Sequence, residues 1–155
     1  MHTYGARVQW SRRGAAFTDH RYSRGHEWSF DGGLRVAASA SPGSVPLPYA
    51  VVEAIDPEEA LVASASSCHM LWFLSIAAKR GLVVDTYVDD ATGMMEKNGD
   101  GKLAITRITL RPRVEFAGGR RPSGDELRAL HEEAHGECFI ANSLRSTIVI
   151  EPPVR

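Results

Sequence analysis

The chain has 155 residues, 43% of them apolar and 24% charged, with 18 basic against 19 acidic side chains and a formal net charge of −1. This length suits one core, so residues 1–155 are expected to form a single domain, and the composition is that of a soluble globular protein rather than a disordered or fibrous one. The balanced charge supplies no global field toward nucleic acid or an anionic membrane, so neither is expected as a partner.

Tyr4, Ala6, Val8 and Trp10 alternate with polar or small residues, the period of a half-buried strand. The same stretch lacks the apolar core of a secretory signal, which sets the expectation of a cytoplasmic protein. Arg12 to Glu27 reads as a charged loop, Asp31-Gly32-Gly33 as a turn and Leu34 to Ser39 as a second strand, before a loop from Pro42 to Pro48. Asp56-Pro57-Glu58-Glu59 is a helix start: Asp caps, Pro suits the first helical position, and two carboxylates meet the positive end of the dipole. The helix is expected to end near Arg80, with Gly81 supplying the C-terminal turn.

Ala60 to Ala78 carries no formal charge, and its length alone would permit a membrane span. Its four serines, a histidine and several alanines make it weakly apolar, and its flanks carry no topology signal. A helix buried inside a soluble protein is predicted, covered by sheet and by other helices, whether of this chain or of a second subunit. Val83 to Met95 and Lys102 to Phe116 then read as two long strands of a hairpin around Asn98-Gly99-Asp100-Gly101. In the second strand Ile108, Leu110, Val114 and Phe116 share one face, and Pro112 marks an edge or bulge. Ser123 to Glu126 forms a capping box for a helix reaching Gly136 or Cys138, and Thr147 to Ile150 is a last short strand. The order argues for an α+β fold with an antiparallel sheet around the long central helix.

Cys68 and Cys138 are the only cysteines. In a reducing compartment a lone pair is more often catalytic, redox-sensing or metal-binding than a permanent staple. Leu61, Ala65, Cys68 and Trp72 form one stripe of the first helix, and Leu127, Leu130, Ala134 and Cys138 one stripe of the second. Packing of these faces would bring the sulfurs together, whereas the plainer alternative makes both cysteines small core residues. Cys68 lies too deep in its helix for the N-terminal dipole to stabilise a thiolate, so a reactive Cys68 requires a nearby cation. His69 is predicted to point away from the Cys68 face in a structural role. Glu58, read alone, is a first-turn carboxylate that would stabilise any helix. His131-Glu132-Glu133-Ala134-His135 matches the H-E-x-x-H pattern of zinc hydrolases. Only twenty residues follow His135, and a solvated flank of an amphipathic helix explains the pattern more simply than a zinc site on His131 and His135.

Two segments carry a resemblance. Asp56-Pro57-Glu58-Glu59 followed by Ala63 to Ala65 and Ser67-Cys68 is similar to the opening of the central helix in OsmC/Ohr proteins. Ala134-His135 to Cys138-Phe139-Ile140, then Ala141-Asn142-Ser143-Leu144, resembles the family's second-cysteine segment. The resemblance implies an OsmC-like fold, an intertwined homodimer, and a peroxidase that reduces organic hydroperoxides through a Cys68 sulfenic acid and a Cys68–Cys138 disulfide. It implies a dithiol reductant, a lipoylated protein or a small thiol, and no metal or organic cofactor. Glu58 falls on the family's glutamate. The family's arginine, which supplies the cation that Cys68 requires, aligns with Arg24 in preference to Arg21. The alternative is an OsmC-like redox-sensing or binding protein without efficient peroxide turnover.

Overall fold

The computed structural model describes residues 1–151, and its backbone separates into two compact units, Met1–Ala60 and Leu61 onward. In the first unit β1 (Ala6–Gln9), β2 (His26–Phe30) and β3 (Arg35–Ala38) form an antiparallel sheet in that order. The turn between β2 and β3 is closed by Gly33 N–H donating to Phe30 O at 2.9 Å, with Gly33 at φ +83, a conformation that favours glycine. The β2 strand begins inside the stretch that reads as a charged loop. His26-Glu27-Trp28-Ser29-Phe30 has no β-branched residue, and Trp28 and Phe30 about Ser29 are an alternation too short to mark a strand beside a charged stretch, so pairing with β1 and β3 reveals it. After β3, Ser39 Oγ accepts from Val51 N–H at 3.0 Å and Ile55 exchanges backbone hydrogen bonds with Ala37 and Ser39, which anchors the loop leading to the first helix.

Helix α1 (Pro57–Lys79) starts where the sequence places it. Asp56 Oδ1 accepts from Glu59 N–H at 2.7 Å and Glu59 Oε2 accepts from Asp56 N–H at 3.3 Å, a reciprocal capping box. The helix ends in a left-handed turn at Gly81 (φ +70), with Leu82 N–H donating to Ala77 O at 3.0 Å.

In the second unit α1 is followed by β4 (Val83–Asp89), β5 (Thr92–Lys97), β6 (Leu103–Leu110), β7 (Pro112–Ala117), α2 (Gly124–Glu137), a 3-10 turn (Ala141–Ser143) and β8 (Thr147–Ile150). Each arm of the expected hairpin is broken in the middle, so β4 pairs with β7 in one sheet and β5 with β6 in another. Asp89 causes the break. Its Oδ1 accepts from Arg111 N–H and its Oδ2 from Ser66 Oγ, both at 2.5 Å, so a side chain replaces ladder bonds next to Pro112, which has no N–H to give. The pairings are antiparallel as expected except at β8, which pairs parallel with β6 in register Ile108↔Ile148 and Leu110↔Ile150. The connection from β7 through α2 is long enough to return the chain in the same direction.

Two clusters bury the faces of α1. Phe73, Ile76 and Ala77 pack with Leu82, Phe116, Leu130 and Ala134 between α1, the β4–β7 sheet and α2. Nearer the start of α1, Ala65 packs with Ile108 and Leu110, with Leu61, Val62 and Ile105 at the margin. There Gly93 on β5 allows the sheet to approach the helix, since a Cβ at this position would lie 2.6 Å from Val62 Cγ2. Burying these two faces identifies α1 as a core helix of a soluble domain, although its apolar length would suffice to cross a membrane. The deepest line of α1 is Ala65, His69, Phe73, Ile76 and Ala77, one residue around the helix from the expected Leu61–Ala65–Cys68–Trp72 stripe. Cys68 is half-buried on its flank.

A candidate thiol-pair site

Along α1, Cys68 lies between Ala65 of one core cluster and Phe73 of the other. Cys138 is the C-cap of α2 rather than a residue on its helical face, with φ −66 and ψ 110 and its N–H directed to His135 O. It is 1% exposed. Both cysteines are free thiols, and they are neighbours, the Cys68 thiol lying near enough to Cys138 to perturb its ionisation. Burial first, then the neighbouring Cys68 thiol, pushes the Cys138 thiol up to about 11, against a smaller opposing effect of the Ala141 N–H, which donates to Cys138 Sγ at 3.4 Å.

The Cys138 loop is held by a residue to which sequence reasoning assigned no role. Asn142 Nδ2 donates to Gly136 O at 3.0 Å and to Cys138 O at 3.1 Å, while its N–H also donates to Cys138 O. The aromatic neighbours of the two cysteines also touch, Trp72 on α1 standing edge-on to Phe139 at a ring separation of 5.4 Å.

His69 turns into the core. Its Nε2 shares a hydrogen bond of 3.0 Å with Nδ1 of His131, and the two rings lie nearly parallel at 5.3 Å. His131 also stacks on Phe73 at 4.5 Å. Burial holds both imidazoles down to about 4 from the ordinary 6.5, with His131 and His135 adding to the effect on His69 and Asp89 opposing it. Both rings are therefore neutral at pH 7, and neither is a cation for a thiolate. The H-E-x-x-H histidine that reads as a solvated flank residue is instead 3% exposed and paired across to α1. Among the described residues no group of three or more His, Cys, Asp or Glu side chains is arranged to hold a metal ion. An apolar position occupied by histidine carries no periodicity signal, so this pairing was not legible in the sequence.

Glu58 and the two candidate arginines lie in the first unit. Glu58 Oε2 is buried without a hydrogen-bond partner, and among the described residues Glu58 makes no ion pair. The Arg24 guanidinium lies over the Tyr22 ring at 3.8 Å and donates to the carbonyls of His20 and Tyr22. Arg21 donates from Nε to the Tyr49 hydroxyl at 3.0 Å, which raises its pKa. A cleft of about 840 Å³ opens in the same unit, and Trp10, Arg12, Arg13, His26 and Arg35 are among its lining residues.

The α+β second unit thus holds two neighbouring free thiols, one at a helix flank and one at a helix C-cap. Residues 52–152 match the OsmC family, described as OsmC-like protein, and the chain belongs to the OsmC/Ohr family. An OsmC-like protein of unknown function from Vibrio cholerae is 49% identical, with 99% of this chain and 100% of that chain covered and a TM-score of 0.97. An organic hydroperoxide resistance protein from Elizabethkingia anophelis shares the fold at 16% identity, with 98% and 94% covered and a TM-score of 0.71. So does the organic hydroperoxide resistance protein of Bacillus subtilis, at 14% identity, with 99% and 98% covered and a TM-score of 0.65. No curated protein matches the sequence significantly.

Proposed function

We propose that the protein is a thiol-dependent peroxidase for organic hydroperoxides. The observation that carries this reading is the placement of the free Cys68 and Cys138 thiols as neighbours, in a chain of the OsmC/Ohr family. Cys68 is the attacking thiol because it is half-buried, whereas Cys138 is enclosed and its proton is held by burial. The Cys68 thiolate attacks the O–O bond and becomes a sulfenic acid while the alcohol leaves, and Cys138 then condenses with it to a disulfide. A dithiol, either a lipoylated protein or a small thiol, restores the pair by exchange. The apolar Trp72–Phe139 surface favours an organic hydroperoxide over hydrogen peroxide.

Arg24 supplies the cation at Cys68 and Glu58 holds it in place, roles for which the resemblance and the unpartnered Glu58 Oε2 are the support. The working form is a homodimer: Leu71 on the uncharged α1 is 60% exposed and Phe139 is 67% exposed, apolar surface that a second copy would cover. The protein acts in the cytoplasm, with no organic cofactor and without nucleic-acid or membrane partners.

The test is consumption of cumene hydroperoxide and of hydrogen peroxide with dihydrolipoamide as reductant, in wild type, Cys68→Ser and Cys138→Ser. The expected result is turnover that prefers the organic peroxide and is abolished in Cys68→Ser. Unchanged turnover in Cys68→Ser overturns the proposal. A disulfide that forms without turnover assigns the pair to redox sensing instead.

A further inference from the structure

We propose that His69 and His131 are positioning residues for disulfide formation, their shared hydrogen bond fixing the register between the helices that carry Cys68 and Cys138. The inference rests on the thiol-pair reading above and concerns its second step. His69 directly follows Cys68, and His131 lies on α2, which ends at the Cys138 cap. Among the described residues, theirs is the only buried side-chain hydrogen bond joining α1 to α2. The other side-chain tie near this interface, Arg80 to Glu133, is exposed and lies beyond the end of α1.

The remaining contacts between these helices are apolar, among them Phe73, Ile76, Leu130 and Ala134. Such contacts are non-directional and tolerate sliding, whereas a hydrogen bond of 3.0 Å does not. Disulfide formation is intolerant of sliding, since it requires Cα atoms within roughly 4.4–6.8 Å. Rotating α2 by one residue, about 100°, would turn its C-cap away from Cys68.

Stability alone gives no reason for the pair. His69 Nδ1 and His131 Nε2 are both buried without a partner. Each neutral ring carries one proton, and only one proton can occupy the shared bond, so in either tautomer one buried N–H lacks an acceptor. Two apolar side chains of similar volume would avoid that cost. A buried polar pair retained against stability has its best-attested use in fixing register. Trp72, one turn after Cys68, provides a second, apolar tie against Phe139.

In the step so positioned, Cys138 Sγ attacks Sγ of the Cys68 sulfenic acid. The S–S bond forms, the S–O bond breaks, and the hydroxyl leaves as water with the Cys138 proton. The two electrons lost by the sulfur pair are those that reduced the hydroperoxide to its alcohol.

The test needs no peroxide. The full-length protein is equilibrated in oxidised and reduced dithiothreitol, and the Cys68–Cys138 disulfide is quantified by mass spectrometry in wild type, in the double variant His69→Leu/His131→Leu, and in His131→Asn, which retains a nitrogen at the Nδ1 position. The effective thiol concentration is expected to fall about fivefold or more in the double-leucine variant, the fold-change equivalent to one net hydrogen bond, and to stay within about twofold of wild type in His131→Asn. The reduced double-leucine variant is expected to melt at or above wild type. An unchanged effective concentration in that variant overturns the proposal, as does an equal fall in His131→Asn. Failure of the double-leucine variant to fold assigns the pair to stability and also overturns it. A wild type that forms the disulfide here yet consumes no hydroperoxide overturns the peroxidase reading and leaves this one standing.

Discussion

Acidification should destabilise the protein through the buried histidine pair. In the folded chain His69 and His131 are held at about 4, against 6.5 for a free imidazole. Between those values the unfolded chain binds more protons than the folded one, so stability is fully present above pH 6.5 and is lost as pH falls toward 4. From pH 7 to pH 5 the linkage amounts to about 2 kcal/mol for one such histidine. The rings share a hydrogen bond and titrate together, which brackets the pair at roughly 2–4 kcal/mol. Urea unfolding of the reduced protein at pH 7, 6 and 5 measures the loss, and His69→Leu/His131→Leu provides the reference, since the carboxylates act equally in both proteins. Wild type should lose roughly 2–4 kcal/mol more than the variant over this range. Parallel loss in the two proteins would refute the assignment of depressed histidines to the core.

Gly93→Ala should destabilise by about 1–3 kcal/mol in urea unfolding, because the new Cβ meets Val62, and Val62→Ala in the same chain should recover most of the loss. Asp89→Asn should lower stability by about 2–3 kcal/mol in the same assay, since the carboxylate accepts from both Ser66 and Arg111 at the bend of the sheet. With its thiol pushed up to about 11, Cys138 should be only about one-thousandth thiolate at pH 8. Iodoacetamide should therefore label Cys68 well ahead of Cys138 in the native protein, and the difference should vanish in denaturant.

Where local chemistry and tertiary demand agree, the fold was legible in the sequence. The Asp56–Glu59 helix start, the Gly81 turn, the Asn98–Gly101 hairpin turn, the Ser123 cap and the Thr147–Ile150 strand are each specified by residues within a few positions. Strand β2 was not legible because its one short alternation, Trp28 and Phe30 about Ser29, adjoins the charged stretch ending at Glu27. The bend at Asp89 and Arg111 was hidden because an acceptor far along the chain replaces the ladder bonds. Periodicity placed Cys68 on an apolar face but rotated the core line by one residue, because His69 was counted as polar and therefore outward. Its partner His131 sits sixty-two residues away, and no local pattern couples two such positions. The two cysteines were visible by count and context, while their closeness depends on the C-cap geometry at Cys138, which only the assembled second unit displays.

The most direct measurement is peptide mapping of the fully reduced protein after one equivalent of cumene hydroperoxide, with free thiols blocked before digestion. The expected result is a single crosslinked peptide pair joining Cys68 to Cys138, absent in Cys68→Ser and replaced in Cys138→Ser by a dimedone-trapped sulfenic acid on Cys68. Recovery of both cysteines as free thiols, or oxidation of Cys138 in the Cys68→Ser variant, would contradict the account.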